Sequence, residues 1–82
     1  GGSPSMIEDT VQQLLAEALG VQTHQISLDL SYGDLPEWDS MGHMNVMMLL
    51  EERFAIQINT ETIAQLTSVS AICSYLREQP HA

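Results

Sequence analysis

The sequence predicts an all-α domain of four helices, with a long connection after the first helix and a short third helix. Two observations support this class. Apolar residues recur at helical spacing in four segments of the 82-residue chain, and a residue that favours helix N-termini precedes each segment. We expect one domain over residues 6–82 and a vector-derived lead over residues 1–5 (GGSPS). The start at Met6 and the short C-terminal tail suggest that the domain is freestanding.

The first helix has the clearest pattern. Gly20 favours a stop directly after it, and Ser5 and Glu8 have the spacing of a capping box at its start. Its core-facing stripe follows i, i+3, i+4, i+7 spacing and consists of Val11, Leu14, Leu15, Ala18 and Leu19. The connection over residues 21–38 has no sustained period, but it holds too many aliphatic residues for a solvated linker. We therefore expect the core to pin it.

The second helix is expected to begin after Asp39, a good N-cap, and to end at about Arg53 or Phe54. Its predicted core face consists of His43, Val46, Met47, Leu50 and Phe54. Nearly opposite lies a second apolar stripe of Met41, Met44 and Met48, flanked by Asn45, Glu51 and Glu52. One core does not need two stripes, so the methionines are a candidate contact surface, the alternative being that they pack under the long connection.

Two shorter helices complete the domain. Asn59 or Thr60 is expected to cap the third, with Ile63 and Leu66 facing inward. Ser68 is expected to cap the fourth, which Pro80 ends. The core face of the fourth helix consists of Val69, Ile72, Cys73 and Leu76.

Charge and composition exclude several classes of partner. Eleven acidic residues against two arginines give a formal net charge of −9, so nucleic acids and anionic membranes are excluded and a basic protein surface is the complement. The chain has no apolar run of about 20 residues that could span a bilayer. The single cysteine permits no internal disulfide. We expect a monomer in the cytoplasm or in an organelle matrix.

Ser40 is the strongest candidate for covalent chemistry. A serine at a helix start lies beside N–H groups that suit a phosphate. Nothing local activates it as a nucleophile, because there is no Gly-x-Ser-x-Gly elbow and His43 lies in the same helix without an orienting carboxylate. The sequence also shows no cluster of metal ligands. Ser40 is therefore expected to accept a group from another enzyme, and an ordinary first-turn serine is the alternative.

Several motifs resemble the acyl carrier protein family. Asp39-Ser40-Met41 is similar to its Asp-Ser-Leu attachment motif, and residues 50–56 (LEERFAI) resemble its Leu-Glu-Glu-x-Phe-x-Ile signature. Residues 66–69 (LTSV) and Tyr75-Leu76 match its last helix, so the resemblance extends over about Ile7 to Leu76. It implies the family's four-helix fold and no catalytic activity. It also implies that Ser40 bears 4′-phosphopantetheine, whose thiol holds acyl intermediates as thioesters.

The same resemblance implies the partners. A phosphopantetheinyl transferase would load Ser40 from coenzyme A and recognise Asp39 through its magnesium, and loading or processing enzymes such as an acyltransferase or ketosynthase would follow. Fatty-acid carriers usually bear acids on the early exposed face of the second helix, where Gly42 and Asn45 stand here. This departure favours polyketide or related specialised biosynthesis. The expected partner contacts are Met41, Met44, Met48, Trp38, Glu37, Glu51 and Glu52.

Some alternatives stay open on the sequence. Trp38 either braces the connection against the core or anchors a partner, and His43 either touches the phosphate or arm or is an idle histidine at the helix edge. Cys73 is expected to be a small buried hydrophobe. The functional alternatives are a peptidyl or aminoacyl carrier of a nonribosomal pathway and a small acidic helical interaction module without a cofactor.

Overall fold

Four α-helices and one 3₁₀ turn make up the part of the chain that the computed structural model describes, residues 6–79. The helices are α1 (Met6–Leu19), α2 (Ser40–Phe54), α3 (Thr60–Gln65) and α4 (Val69–Glu78), and the 3₁₀ turn covers Thr23–Gln25. The all-α class, the order of the helices and the short third helix are confirmed. The proposed cap Ser5 and the proposed stop Pro80 lie outside the described residues.

Helices α2, α3 and α4 each begin with a side-chain N-cap hydrogen bond. A side-chain oxygen of Asp39 accepts from the Gly42 N–H at 2.9 Å, that of Asn59 from the Thr62 N–H at 2.8 Å, and that of Ser68 from the Ala71 N–H at 3.0 Å. Each bond satisfies one of the N–H groups that a helix start leaves unpaired. Capping residues thus fix these three helix starts, as predicted.

Helix α1 packs against both α2 and α4 and forms the centre of the core. The predicted stripe is buried except at Ala18, which is half-buried, and Ala16 is buried in addition. The core faces of α2 and α4 are confirmed, with Phe54 only half-buried. Helix α3 contains no fully buried residue. It therefore covers the edge of the bundle and adds little to its interior.

The long connection is pinned to the core, as predicted. Ile26 and Leu30 are buried, whereas Leu28 is 40 % exposed. Residues 30–32 of the connection run antiparallel to the segment that leads into α4: the Val69 N–H donates to the Leu30 oxygen at 2.9 Å, and the Tyr32 N–H donates to the Thr67 oxygen at 2.8 Å. These bonds fix the segment that leads to α2.

Cys73 is buried in α4, as expected. Burial raises the pKa of its thiol above the ordinary value of 9.0, Arg77 opposes this effect and Glu8 adds to it. As the pH rises above 9.0, the unfolded chain loses the thiol proton while the folded chain retains it. The free energy of unfolding therefore falls with rising pH in this range.

We expect the unfolding free energy of the wild type to fall more steeply with rising pH than that of Cys73→Ala. The range to test is about pH 8.5 to 10.5, which brackets the ordinary pKa of a thiol. The alanine variant is less stable at every pH because of its cavity, but it lacks the thiol. Denaturant titrations at several pH values measure both slopes. Parallel pH profiles for the two proteins would contradict the assignment.

None of the helices within residues 6–79 is long and apolar enough to cross a membrane.

Candidate functional site

Ser40 is the first residue of α2, and its side chain is exposed. Asp39 directly before it caps the helix, and the Asp39 carbonyl oxygen accepts from the His43 N–H at 2.7 Å. The N–H groups of Ser40 and Met41 lie in the first turn, where no helical carbonyl can reach them. The hydroxyl is therefore open to solvent at the positive end of the helix dipole.

Tyr32 reaches this hydroxyl from the connection. Its phenolic oxygen lies 3.2 Å from Ser40 Oγ, and either atom can be the donor. The Tyr32 ring packs edge-on against His43, with ring centroids 5.5 Å apart, and against Trp38 at 6.5 Å. We call Tyr32, Trp38 and His43 the aromatic cluster. It joins the end of the connection to the first turn of α2.

A buried hydrogen-bond chain runs through the aromatic cluster. Trp38 Nε1 donates to His43 Nδ1 at 3.0 Å, and His43 Nε2 lies 2.9 Å from the Ile63 carbonyl oxygen. Because the indole only donates and the carbonyl only accepts, His43 must be the neutral tautomer with its proton on Nε2. The chain ties the connection, α2 and α3 together.

These hydrogen bonds correct the expectation for His43. The residue is only 6 % exposed, and both ring nitrogens have partners within the protein. Neither nitrogen is available to a phosphate or an arm on Ser40, and the residue is not an idle histidine at the helix edge. Its position in the predicted core face is confirmed.

The expectation that Trp38 contacts a partner is also wrong. Its side chain is 0 % exposed, so it offers no surface to another protein. The alternative, that it braces the connection against the core, is the one that the structure supports. A tryptophan can be buried here because His43 accepts its N–H.

An open groove of about 400 Å³ begins beside Ser40 and runs between α2 and α3. Most of its wall is apolar or aromatic. Ser40 and Tyr32 both line it, and the remaining lining residues are His43, Met44, Thr60, Ile63, Ala64 and Thr67. The sequence did not indicate Tyr32 or the α3 residues as part of the site, because no periodic pattern links Tyr32 to helix residues that follow it by 28 to 32 positions.

The predicted methionine face is exposed. Met41 is 79 %, Met44 48 % and Met48 56 % exposed, and Asn45 lies exposed among them. These four residues form what we call the methionine face, and the alternative that the methionines pack under the connection is wrong. Met44 also lines the groove, so the face and the groove adjoin.

The acidic residues expected as partner contacts have different environments. Glu37 and Glu52 are exposed. Glu51 is half-buried, and its carboxylate accepts from the Ile58 N–H at 2.9 Å, which holds the turn after α2. Glu51 therefore has a structural role, and partner contact by any of the three stays a prediction.

Gly42 is buried, so it does not belong to the exposed face of α2. The resemblance to fatty-acid carriers had placed it there. A Cβ added there would overlap the Glu37 carbonyl oxygen and would lie 2.8 Å from Leu19 Cδ2. The absence of a side chain lets the connection cross closely over α2. Position 42 thus has a steric reason for glycine that is independent of charge.

We expect Gly42→Ala to destabilise the domain by about 1–3 kcal/mol, because the overlap is with backbone that cannot turn aside. Asn45→Ala is the matched control, since it lies exposed on the same helix and should change stability by less than about 0.5 kcal/mol. Denaturant unfolding measures both. A Gly42→Ala protein at least as stable as the wild type would show that the connection can move away.

Within residues 6–79, the site offers an accessible hydroxyl and no free histidine nitrogen beside it. His43 is committed to Trp38 and Ile63, and the described hydrogen-bond partner of Ser40 Oγ is Tyr32. No group of three or more His, Cys, Asp or Glu side chains that could hold a metal occurs within residues 6–79. The arrangement suits a serine that another enzyme modifies, with room beside it for a flexible attached group.

Comparisons with known proteins agree with this description. Residues 9–76 match the family model for the phosphopantetheine attachment site. Two similar proteins are called acyl carrier protein. The one from Chlamydia trachomatis serovar D is 30 % identical over 73 residues, which cover 89 % of this chain and 95 % of the relative. The one from serovar L2 is 31 % identical over 72 residues, which cover 88 % and 94 %.

Proposed function

Because the chain belongs to the acyl carrier protein family, we propose that Ser40 is the residue to which the family's 4′-phosphopantetheine is attached. Acyl carrier proteins are carriers and not catalysts, so the chain is not an enzyme, and its cofactor is covalently bound 4′-phosphopantetheine. The thiol of this group, when attached, holds acyl groups as thioesters. The proposal concerns the residue that carries it.

The observation that carries the proposal is the exposed Ser40 hydroxyl at the start of α2, directly after Asp39 and inside the matched region. A phosphodiester there gains about 0.3–1 kcal/mol from the helix dipole. The described residues fit the group sterically as well, because the hydroxyl faces solvent and the groove of about 400 Å³ begins beside it.

Ser40 Oγ forms a bond to the phosphorus that bears pantetheine in coenzyme A, and the pyrophosphate bond breaks. Adenosine 3′,5′-bisphosphate leaves, and the serine proton passes to a base of the transferase. His43 does not supply this base, because both of its ring nitrogens are bonded within the protein. We further propose that Asp39, which is exposed although one of its oxygens caps α2, takes part in recognition by the transferase.

Intact mass spectrometry tests the proposal. The protein is incubated with coenzyme A, Mg²⁺ and a broad-specificity phosphopantetheinyl transferase, and the modified protein is then fragmented. We expect one added phosphopantetheine per chain, located on the peptide that contains Ser40. No addition to folded protein would favour the interaction module, and an addition on another serine would overturn the assignment of Ser40.

The family implies interaction with a phosphopantetheinyl transferase and with acyl-processing enzymes. We propose that these enzymes dock on the methionine face beside Ser40. The support for this surface is the exposure of its three methionines, Met41, Met44 and Met48. Flexible thioether side chains adapt to several partners in turn. The net charge of −9 favours enzymes with basic surfaces. A monomeric state and a cytoplasmic location stay predictions.

We propose that the pathway is a specialised one, such as polyketide biosynthesis. The support is the uncharged methionine face, which lacks acids over the first two turns of α2. Transfer assays with a fatty-acid ketosynthase and a polyketide ketosynthase, each supplied with the same acylated protein, distinguish the two pathways. A larger kcat/KM with the fatty-acid enzyme would overturn this part of the proposal.

We expect Met44→Glu to lower kcat/KM with acyl-processing enzymes by about 10-fold, equivalent to about 1.4 kcal/mol of transition-state binding. A charge in an apolar contact must be desolvated without a partner. Gln13→Glu is the matched control, because it adds the same charge at an exposed position on α1. Equal kcat/KM values for the two variants, with unchanged thermal unfolding, would exclude Met44 from the docking surface.

A further inference from the structure

Tyr32 has an exposed hydroxyl that is bonded to the proposed attachment serine. The residue is 41 % exposed, and its oxygen lies 3.2 Å from Ser40 Oγ although eight positions separate the two residues. Both hydroxyl groups are exposed and could bond to water, so neither needs this bond to satisfy a buried polar atom. Its position beside the proposed attachment atom is what requires an explanation.

Tyr32 is held both at its backbone and at its ring. Its backbone N–H donates to the Thr67 oxygen at 2.8 Å, and its ring stands at 87° to the His43 ring. His43 is in turn fixed by Trp38 and by the Ile63 carbonyl. A hydroxyl placed in this way loses little conformational entropy when it binds a new acceptor.

Attachment of a phosphate to Ser40 changes the chemistry of the pair. In the free protein either hydroxyl can donate to the other. A serine ester has no proton, so the Tyr32 hydroxyl becomes the only donor of the two. The phosphodiester oxygens beside it are charged, and hydrogen bonds to charged acceptors are stronger than those between neutral groups.

We propose that Tyr32 is a positioning residue that donates its hydroxyl hydrogen bond to the phosphodiester on Ser40. This proposal rests on the proposed attachment at Ser40. Such a bond would restrain the phosphodiester beside the groove that Tyr32 and Ser40 both line.

Phosphorus NMR of the loaded protein tests this proposal. Wild type, Tyr32→Phe and Tyr75→Phe are loaded with the same transferase, and mass spectrometry verifies complete loading of each. Phenylalanine keeps the ring contacts of Tyr32 and removes only the hydroxyl. Tyr75, which is half-buried in α4, is the matched control, since it is the second of the two tyrosines in the chain.

We expect the ³¹P resonance of Tyr32→Phe to differ from that of the wild type in chemical shift and to be narrower, while Tyr75→Phe superimposes on the wild type. A structural role of Tyr32 alone would change the melting temperature without this selective ³¹P effect. Carbon labelling at Cζ of tyrosine gives a second readout in the unmutated protein. There, loading should shift the Tyr32 signal and leave the Tyr75 signal in place.

The outcomes separate the two proposals. Complete loading of all three proteins with coincident ³¹P resonances would overturn the role of Tyr32 and leave the attachment at Ser40 intact. Loading on Ser40 with an unmoved Tyr32 Cζ signal would do the same. Failure of the wild type to accept phosphopantetheine would overturn both, and it would be seen by mass before any phosphorus spectrum is recorded.

Discussion

Replacing Ser40 with alanine is expected to abolish phosphopantetheine addition completely. The variant lacks the oxygen that forms the bond to phosphorus. The neighbouring Tyr32 hydroxyl cannot substitute, because it is a phenol that lies outside the start of α2. Intact mass spectrometry after an incubation that fully loads the wild type measures the result. The acyl-carrying function should be lost with it.

Loss of loading must be separated from loss of fold. Ser40 is exposed and Asp39 provides the cap, so Ser40→Ala should change the unfolding free energy by less than about 0.5 kcal/mol. Ser70→Ala is the matched control, since Ser70 is an exposed serine in the first turn of α4. It should load like the wild type. Full loading of Ser40→Ala would refute the assignment and leave a helix-start serine without a special role.

The sequence predicted the helices well because local rules decide them. Asp39, Asn59 and Ser68 each cap the helix that follows, and the core faces follow the helical period. The path of the connection was harder to predict. Its buried residues showed that it was pinned, but the bonds from Tyr32 and Val69 to partners more than 30 residues away have no local signature.

The candidate site shows the same division. Ser40 and the exposed methionines could be found from spacing, because both are properties of one helix. For Trp38 the sequence offered bracing of the connection only as one of two alternatives, and it gave no indication of the bond to His43 or of the steric role of Gly42, because each depends on a contact between segments that only the folded chain brings together. Gly42 is instructive: at the level of sequence it looked like a missing surface charge, whereas the structure shows a steric requirement at a crossing of two segments.

Replacing Trp38 with alanine is expected to cost about 3–5 kcal/mol of unfolding free energy. The indole is 0 % exposed, and its loss leaves a large cavity where the connection meets α2. It also leaves the buried His43 Nδ1 without its donor. Since domains of this size have only about 5–15 kcal/mol in total, a large part of the stability should disappear, and denaturant unfolding measures it.

A second pair of variants separates packing from hydrogen bonding. Trp38→Phe keeps much of the ring volume but removes the N–H, and an unpaired buried acceptor should cost about 1–3 kcal/mol. His43→Leu breaks the bonds to Trp38 and Ile63 together. If the Trp38–His43 bond holds the connection to α2, the two substitutions combined should cost less than the sum of the single ones. Strict additivity would instead mean that packing alone fixes the approach to Ser40, and the hydrogen-bond chain would then have no part in presenting the serine.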